Sequence, residues 1–202
     1  MRINLIALLV ASATVAMPAG AQAPHWRIGA EYGESRISGT TRGITVDALA
    51  SFTPYRPTSG ALRMERGGDR MRVGFAVLYA EALVALTALE ALVLATGAPL
   101  TLLEFSPTVS MRVSRLGTAA TLRAEAGPVL DRWTWSAGEP RTRVGAMAGA
   151  AIETHLGERI AGVVRVGVAV TGSVFNQEDL PEGFASRASW RRSVALGLQL
   201  LR

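Results

Sequence analysis

The chain has 202 residues, of which 49% are hydrophobic and only 18% are charged, below the roughly 25% of a soluble domain. Its formal net charge is +5, and the absence of cysteine excludes disulfides and thiolate metal sites. The arginines are scattered singly along the chain, which argues against nucleic-acid binding despite the basic pI of about 10.8.

The first 21 residues have the three parts of a secretory signal peptide. Met1–Arg2 is a positive start, residues 5–15 form an apolar core, and residues 19–21 (Ala-Gly-Ala) are a small-residue cleavage site. The apolar core is shorter than the ~20 residues that a membrane-spanning helix needs. We therefore expect residues 1–21 to be removed, which leaves residues 22–202 as one exported domain.

Beyond residue 25 the apolar residues recur with a period of two, which is the period of a β-strand. In residues 159–175, Val164 and Val166 fall on one face and Arg165 falls on the other. That stretch exceeds the about 5–6 residues of an ordinary strand and suits the ~9–11 residues of a tilted membrane-spanning strand. The same alternation predicts eight strands, at residues 25–39, 58–66, 71–83, 103–114, 120–130, 143–153, 159–175 and 190–202.

Two connecting segments are less regular. Residues 40–57 are predicted to form a long loop, because Pro54 and Pro57 disfavour a regular central strand. Residues 84–98 are rich in Ala and Leu, which favours helix, so they are predicted to form either a loop with a short helix or an extension of the neighbouring strands beyond the membrane.

The connections between the predicted strands alternate in length. Short turns are expected at residues 67–70, 115–117 and 156–158, and longer connections near residues 40–57, 84–98, 134–140 and 176–186. Short turns at one end and long loops at the other are typical of bacterial outer-membrane barrels.

With these eight strands and this spacing of turns, the chain resembles small eight-stranded outer-membrane β-barrel proteins, typified by the OmpA transmembrane domain and OmpX. The resemblance covers the whole of residues 22–202 by pattern and architecture. It implies an all-β fold, an eight-stranded antiparallel up-and-down transmembrane β-barrel. It also implies a location in the outer membrane of a diderm bacterium.

The polar face of the strands is largely Gly, Ala, Ser and Thr, which suits the narrow interior of an eight-stranded barrel. Buried charges are costly unless paired, so we expect the charged residues of this face to form an Arg–Glu network in the lumen. The predicted lumen polar network is Arg63, Glu65, Arg72, Glu104, Arg112, Arg123, Glu125, Arg143, Glu153, Arg165 and Arg191. Aromatic residues near strand ends predict a membrane-interface belt of Trp26, Trp133, Trp135, Phe175 and Trp190.

Catalysis is not expected. Of the two histidines, His25 and His155, neither has a serine at a suitable spacing, and the sequence has no phosphate-binding loop and no metal-ligand spacing. The sequence therefore predicts a non-enzymatic barrel without cofactor or metal, with a packed polar lumen and a structural or loop-mediated interaction role. The expected partners are outer-membrane lipid and an unidentified partner of the loops, and a monomer is favoured.

Two alternatives remain open from the sequence. The first is a narrow passive pore through the polar lumen. The second is a secreted, soluble lipocalin-like barrel whose apolar face is turned inward around an apolar ligand, because the same period of two would serve either orientation of the faces.

Overall fold

The computed structural model describes residues 25–43, 51–88, 91–135, 139–180 and 182–202. The predicted signal peptide, residues 1–21, lies outside the described residues, as do parts of the four predicted loops. Within the described ranges, no helix is long and apolar enough to cross a bilayer.

Eight long strands, among the residues described, close into one barrel in which every strand is antiparallel to its neighbours. They are β1 (His25–Ser38), β3 (Ser51–Gly67), β4 (Met71–Ala88), β5 (Ala91–Leu116), β6 (Ala120–Trp135), β7 (Arg141–His155), β8 (Ile160–Thr171) and β10 (Ser189–Leu201). Strands consecutive around the barrel are consecutive in the chain, and β10 closes the barrel by pairing with β1. The predicted eight-stranded antiparallel up-and-down fold is confirmed.

The two ends of the barrel differ. One end, here called the turn end, carries the short connections at residues 68–70, 117–119 and 156–159. The other, here called the loop end, carries the long connection of residues 172–188 between β8 and β10, while β4 and β5 are only two residues apart there. Within that loop lies β9 (Phe184–Ser186), which pairs with β2 (Thr41–Gly43) to form a separate two-stranded sheet.

The polarity of the barrel is the reverse of that of a soluble one. Along β10, Val194, Leu196 and Leu198 are 56%, 62% and 58% exposed, whereas Arg191 and Gln199 are 8% and 2% exposed. Successive side chains of a strand point to opposite faces, so the apolar set covers the outside and the polar set lines the inside. This arrangement is the opposite of the one that the lipocalin-like alternative requires.

Strand β3 begins at Ser51, so the prediction of a loop through residue 57 is wrong for residues 51–57. Both prolines are accommodated because β3 pairs there with β4 alone, whereas its pairing with β1 starts at Thr58. The β3–β4 register also shifts between Tyr55 and Thr58. Proline is tolerated at sheet edges and bulges, because no neighbouring strand needs the backbone N–H that proline lacks.

For residues 84–98, the strand-extension alternative is correct. Strands β4 and β5 pair as far as Ala88 and Ala91, with a register shift between Ala82 and Val84. Pairing of β5 with β6 starts only at Leu100, so the β4–β5 hairpin extends past its neighbour at the loop end. Sheet pairing has therefore overridden the weak helix preference of Ala and Leu.

Candidate functional site in the barrel interior

The interior is lined by charged side chains of both signs in equal number. Among the described residues, six arginines and six acids occupy inner-face positions; eleven of the twelve are buried, and the Arg27 side chain is partly exposed at the turn end. The twelve are Arg27, Arg63, Arg72, Arg123, Arg165, Arg191, Glu31, Glu65, Glu104, Glu125, Asp131 and Glu153. Their formal charges cancel, and they form three clusters along the barrel axis, of which the two nearer the turn end are joined by an ion pair of Arg63 and Glu65 at 3.8 Å.

The charges nearest the turn end converge on the carboxylate of Glu153. Arg72 donates to both oxygens, with Nη1–Oε1 at 2.6 Å and Nη2–Oε2 at 3.0 Å, and Arg27 Nη1 reaches Oε2 at 3.5 Å. Arg123 Nε lies 4.0 Å from Oε1, and Arg72 also pairs with Glu65 at 3.4 Å. Two parallel bonds between a guanidinium and a carboxylate fix orientation as well as charge, so this cluster has a defined geometry.

A second cluster, at mid-height, joins two arginines and two glutamates from four strands. Arg165 binds Glu31 through Nε and Nη2 at 3.1 and 3.0 Å, and its Nη1 pairs closely with Glu125. Arg63 lies 3.4 Å from Glu31 and 3.4 Å from Glu125. Each arginine therefore contacts both carboxylates, and the four side chains neutralise one another across the lumen.

The third cluster lies toward the loop end. Arg191 pairs closely with Glu104 and lies 4.0 Å from Asp131, while the Ser106 hydroxyl donates to Glu104 at 2.8 Å. Between this cluster and the mid-height cluster is a cavity of about 60 Å³. A volume of that size holds a few water molecules, because one water needs about 10–15 Å³ by this measure.

The loop end is closed by apolar packing from a loop. Val174, which follows β8, is fully buried against Ala80, Leu100, Leu102 and Trp133 inside the barrel mouth. Partly buried around this core are Ile37, Leu78, Val84, Trp135 and Phe175. We call residues 173–175 the loop plug, because they cover the charged clusters from the loop end.

Polar contacts hold the loop plug in place. The Ser173 hydroxyl donates to the Thr40 carbonyl at 2.8 Å, and Arg143 donates to the Ser173 carbonyl and, at 2.6 Å, to the Asn176 side chain. Arg143 was predicted to belong to the lumen network. It lies instead at the loop end, where its guanidinium bonds the loop and contacts none of the three clusters.

The turn end is partly covered by the β3–β4 turn. The Asp69 carboxylate in that turn pairs with Arg112 and, at 2.8 Å, with Arg115, and its carbonyl accepts a bond from Arg123 at 2.8 Å. The predicted lumen residue Arg112 therefore lies at the rim with Asp69, apart from the clusters. Next to the turn is an open vestibule of about 490 Å³.

Two of the five predicted belt aromatics lie on the outside of the barrel. Trp26 at the turn end and Trp190 at the loop end are 40% and 49% exposed. Trp133 is 2% exposed, and the Trp135 and Phe175 rings pack 6.3 Å apart beside it. The prediction is therefore corrected for these three. Phe175 lies in the loop plug, and for the two tryptophans the prediction rested on nearness to a strand end and not on the face to which the side chain points. Strand β6 continues to Trp135, and both of its tryptophans extend the odd-numbered inward series.

Sequence reasoning missed three charged residues of the interior, Arg27, Glu31 and Asp131. The signal was present, because Arg27 and Glu31 share the polar face of β1 and Asp131 continues the inward series of Arg123 and Glu125. The two histidines, His25 and His155, are exposed at the turn end and line the vestibule. Across the residues described, no group of three His, Asp or Glu side chains could hold a metal ion.

A closed antiparallel barrel of eight strands, apolar outside and filled by polar side chains inside, is the architecture of small outer-membrane barrel proteins. The fold is similar to that of Neisserial surface protein A, at 10% identity over 89% of this chain and 99% of that one, with a TM-score of 0.53. It is also similar to outer membrane protein AlkL in lipid bilayers, at 11% identity over 93% and 94% of the two chains, with a TM-score of 0.50. No protein-family model and no curated protein matches the sequence. The predicted resemblance to small outer-membrane barrels is confirmed at the level of the fold.

Proposed function

We propose that the chain is an integral outer-membrane protein of a diderm bacterium, exported through the predicted signal peptide, residues 1–21. The observation that carries this proposal is the reversed polarity of the barrel. Large apolar side chains on its strands are exposed, Leu62, Val144 and Leu196 among them at 66%, 71% and 62%, while eleven charged side chains are buried. A continuous apolar exterior of this kind is unfavourable in water and favourable in lipid.

The interior supports a packed lumen rather than a pore, the runner-up function. An anion-selective pore needs arginines whose charge faces the permeating ion. In the described interior each arginine has at least one acidic neighbour within 4.0 Å, and the two signs balance. The loop plug covers the clusters from the loop end. The lumen is therefore proposed to stabilise the barrel and to carry no solute.

The role proposed for this barrel is structural or interactive, without catalysis. The charged groups of the interior are engaged with one another, and both histidines lie outside it. Recognition is assigned to the loop end, where the β4–β5 hairpin and the β2–β9 sheet extend from a rigid scaffold. Loops held on a rigid scaffold are the usual sites of recognition.

The test is fractionation of cells expressing the full chain, followed by gel electrophoresis of unheated and heated samples. We expect the protein in the outer-membrane fraction, with a band that shifts on heating because the closed barrel resists detergent until it is boiled. A soluble periplasmic or secreted protein without the shift would refute membrane insertion. Steady ohmic channels in planar bilayers would favour the pore.

A further inference from the structure

Among the described residues, the largest share of the net positive charge lies at the turn end. The interior holds six arginines and six acids, and the described residues outside both the interior and the turn end include eight arginines and six acids. Only Asp69 and Glu158 are acidic among the remaining residues, which lie at the turn end. The arginines there are Arg66, Arg70, Arg112, Arg115, Arg159 and Arg202.

Three of these arginines lie in a row with a tryptophan on the outer edge of the barrel. Trp26 pairs with Arg66 across β1 and β3, and the Arg66 guanidinium carbon lies 5.3 Å from the Trp26 ring centroid. The Trp26 backbone exchanges two bonds with Arg202, at 3.0 and 2.9 Å, and Leu201 donates to the Arg159 carbonyl at 2.8 Å. Neighbouring strands lie about 4.7–4.9 Å apart, so the distance from Arg66 through Trp26 and Arg202 to Arg159 is about 15 Å. Arg159 lies opposite Leu201 and is therefore one position out of line with the other three. We call these four residues the basic rim.

The arginines of the basic rim are exposed and have no acidic partner in the described part of the chain. Arg112 and Arg115, also at the turn end, differ because both pair with Asp69. The charge of the basic rim is therefore available to an anion outside the protein.

The basic rim borders apolar surface. Arg159, Leu200, Leu201 and Arg202 line one open groove at the turn end of the barrel. Leu200 pairs with Ile160 across β10 and β8, and the two side chains are 46% and 47% exposed. A guanidinium binds phosphate oxygens with two parallel bonds, and leucine side chains contact hydrocarbon. The groove thus offers guanidinium groups for an anionic headgroup and apolar side chains for a hydrocarbon chain, which together suit an anionic amphiphile.

We propose that the basic rim binds the phosphate groups of anionic phospholipids in the leaflet at the turn end. This inference rests on the proposed membrane function, in which the short turns of the barrel face the periplasm. The exposed positions of Arg66 and Trp26, at the border of the apolar outer face, favour a lipid over a soluble polyanion. Trp26 supports the assignment because its half-exposed ring occupies the headgroup level.

The test uses the full chain with Trp190→Phe, so that Trp26 is the one strongly exposed tryptophan left. The protein is reconstituted in phosphatidylcholine vesicles, and quenching of Trp26 by brominated phosphatidylglycerol is compared with quenching by brominated phosphatidylcholine. We expect the anionic lipid to be enriched about fivefold at Trp26, since one arginine near an anionic surface contributes about 1 kcal/mol. The enrichment should shrink in high salt, because exposed charges are screened.

The decisive variant is the triple change Arg66→Gln, Arg159→Gln and Arg202→Gln, which should abolish the preference. Its matched control changes three exposed arginines toward the loop end, Arg36, Arg132 and Arg192, to Gln and should keep the preference at Trp26.

Three results would overturn the proposal. The parent protein could show no preference for the anionic lipid, or the preference could persist in the variant with all three rim arginines changed to Gln. Alternatively, millimolar inorganic phosphate at matched ionic strength could abolish the preference of the parent protein. The last would mean that the rim takes a free anion. The heat-shifted band serves as the separate check on membrane insertion, so a barrel that inserts without lipid preference refutes only the rim.

Discussion

Arg72 and Glu153 lie 81 residues apart in the chain and form a bidentate ion pair inside the barrel. Arg72 is on β4 and Glu153 is on β7, and these strands do not pair with each other, so the bond crosses the lumen. Between the turn end and mid-height of the barrel, ion pairs of this kind occupy the interior, which apolar side chains fill in a soluble protein.

Replacing Glu153 by glutamine should be strongly destabilising. The change removes the carboxylate on which three arginines converge and leaves Arg72 buried without its main partner. Breaking a buried ion pair from one side costs about 3–5 kcal/mol, so E153Q should lower the free energy of unfolding by that amount in a urea titration in vesicles. The control is Glu158→Gln, an exposed residue in the next turn, which should change it by less than about 0.5 kcal/mol. Equal effects of the two changes would contradict the pairing.

Introducing a charge at Val174 should release the loop plug. Val174 is fully buried in an apolar cluster, so an aspartate there is either expelled or left unpaired at high cost. We expect V174D to accelerate trypsin cleavage after Arg187 in the same loop, while the barrel keeps its heat-shifted band. Glu178→Gln, exposed in that loop, should leave the cleavage rate unchanged. Parent-like resistance of V174D would show that the plug does not depend on Val174.

A methyl group at Gly127 should not be tolerated. A Cβ built there would collide with the carbonyl oxygen of Pro107 on the neighbouring strand, whereas one at Gly60 meets open space. Overpacking of this kind costs about 1–3 kcal/mol, so Gly127→Ala should lower the urea midpoint of unfolding and Gly60→Ala should leave it near the parent value. A parent-like midpoint for Gly127→Ala would contradict the close approach of β5 and β6.

The proposal of a packed lumen predicts that the barrel does not conduct ions. Charge-balanced clusters lie inside the barrel beneath an apolar plug, and the cavity between two of them is about 60 Å³. We expect the purified protein in planar bilayers to give no steady ohmic current. Removal of the plug by V174D should not create one, since the three ionic clusters remain below it. A stable, ion-selective current from the parent would contradict a packed lumen.

The period of two in the sequence was sufficient to predict the fold and most of the interior. Arg63, Arg72 and Arg165 reach the lumen because each lies on the polar face of a strand whose register is set by the apolar face opposite. The prediction failed for Trp133 because it ended the strand too early. The alternation of inward and outward side chains that starts at Arg123 already indicates that Trp133 points inward.

Other features depend on contacts that no local pattern contains. Phe175 and Val174 belong to the loop plug because residues 172–176 fold back into the barrel mouth. Residues 51–57 join β3 because β4 pairs with residues 51–55 despite Pro54, and the register shift between Tyr55 and Thr58 accommodates Pro57. Arg112 differs from the lumen arginines because the β3–β4 turn brings Asp69 within reach of it. In all three cases, a partner distant in sequence decides the outcome.

Contact of the apolar outer face with lipid is tested most directly by spin labels on single cysteines, because the chain has no cysteine of its own to give a background signal. Leu196→Cys places the label on the outer face of β10, and Glu178→Cys places it on the exposed loop. In vesicles, the label at 196 should collide more with oxygen than with a water-soluble nickel complex, and the label at 178 should show the reverse. Equal nickel access at both positions would contradict a lipid-facing barrel.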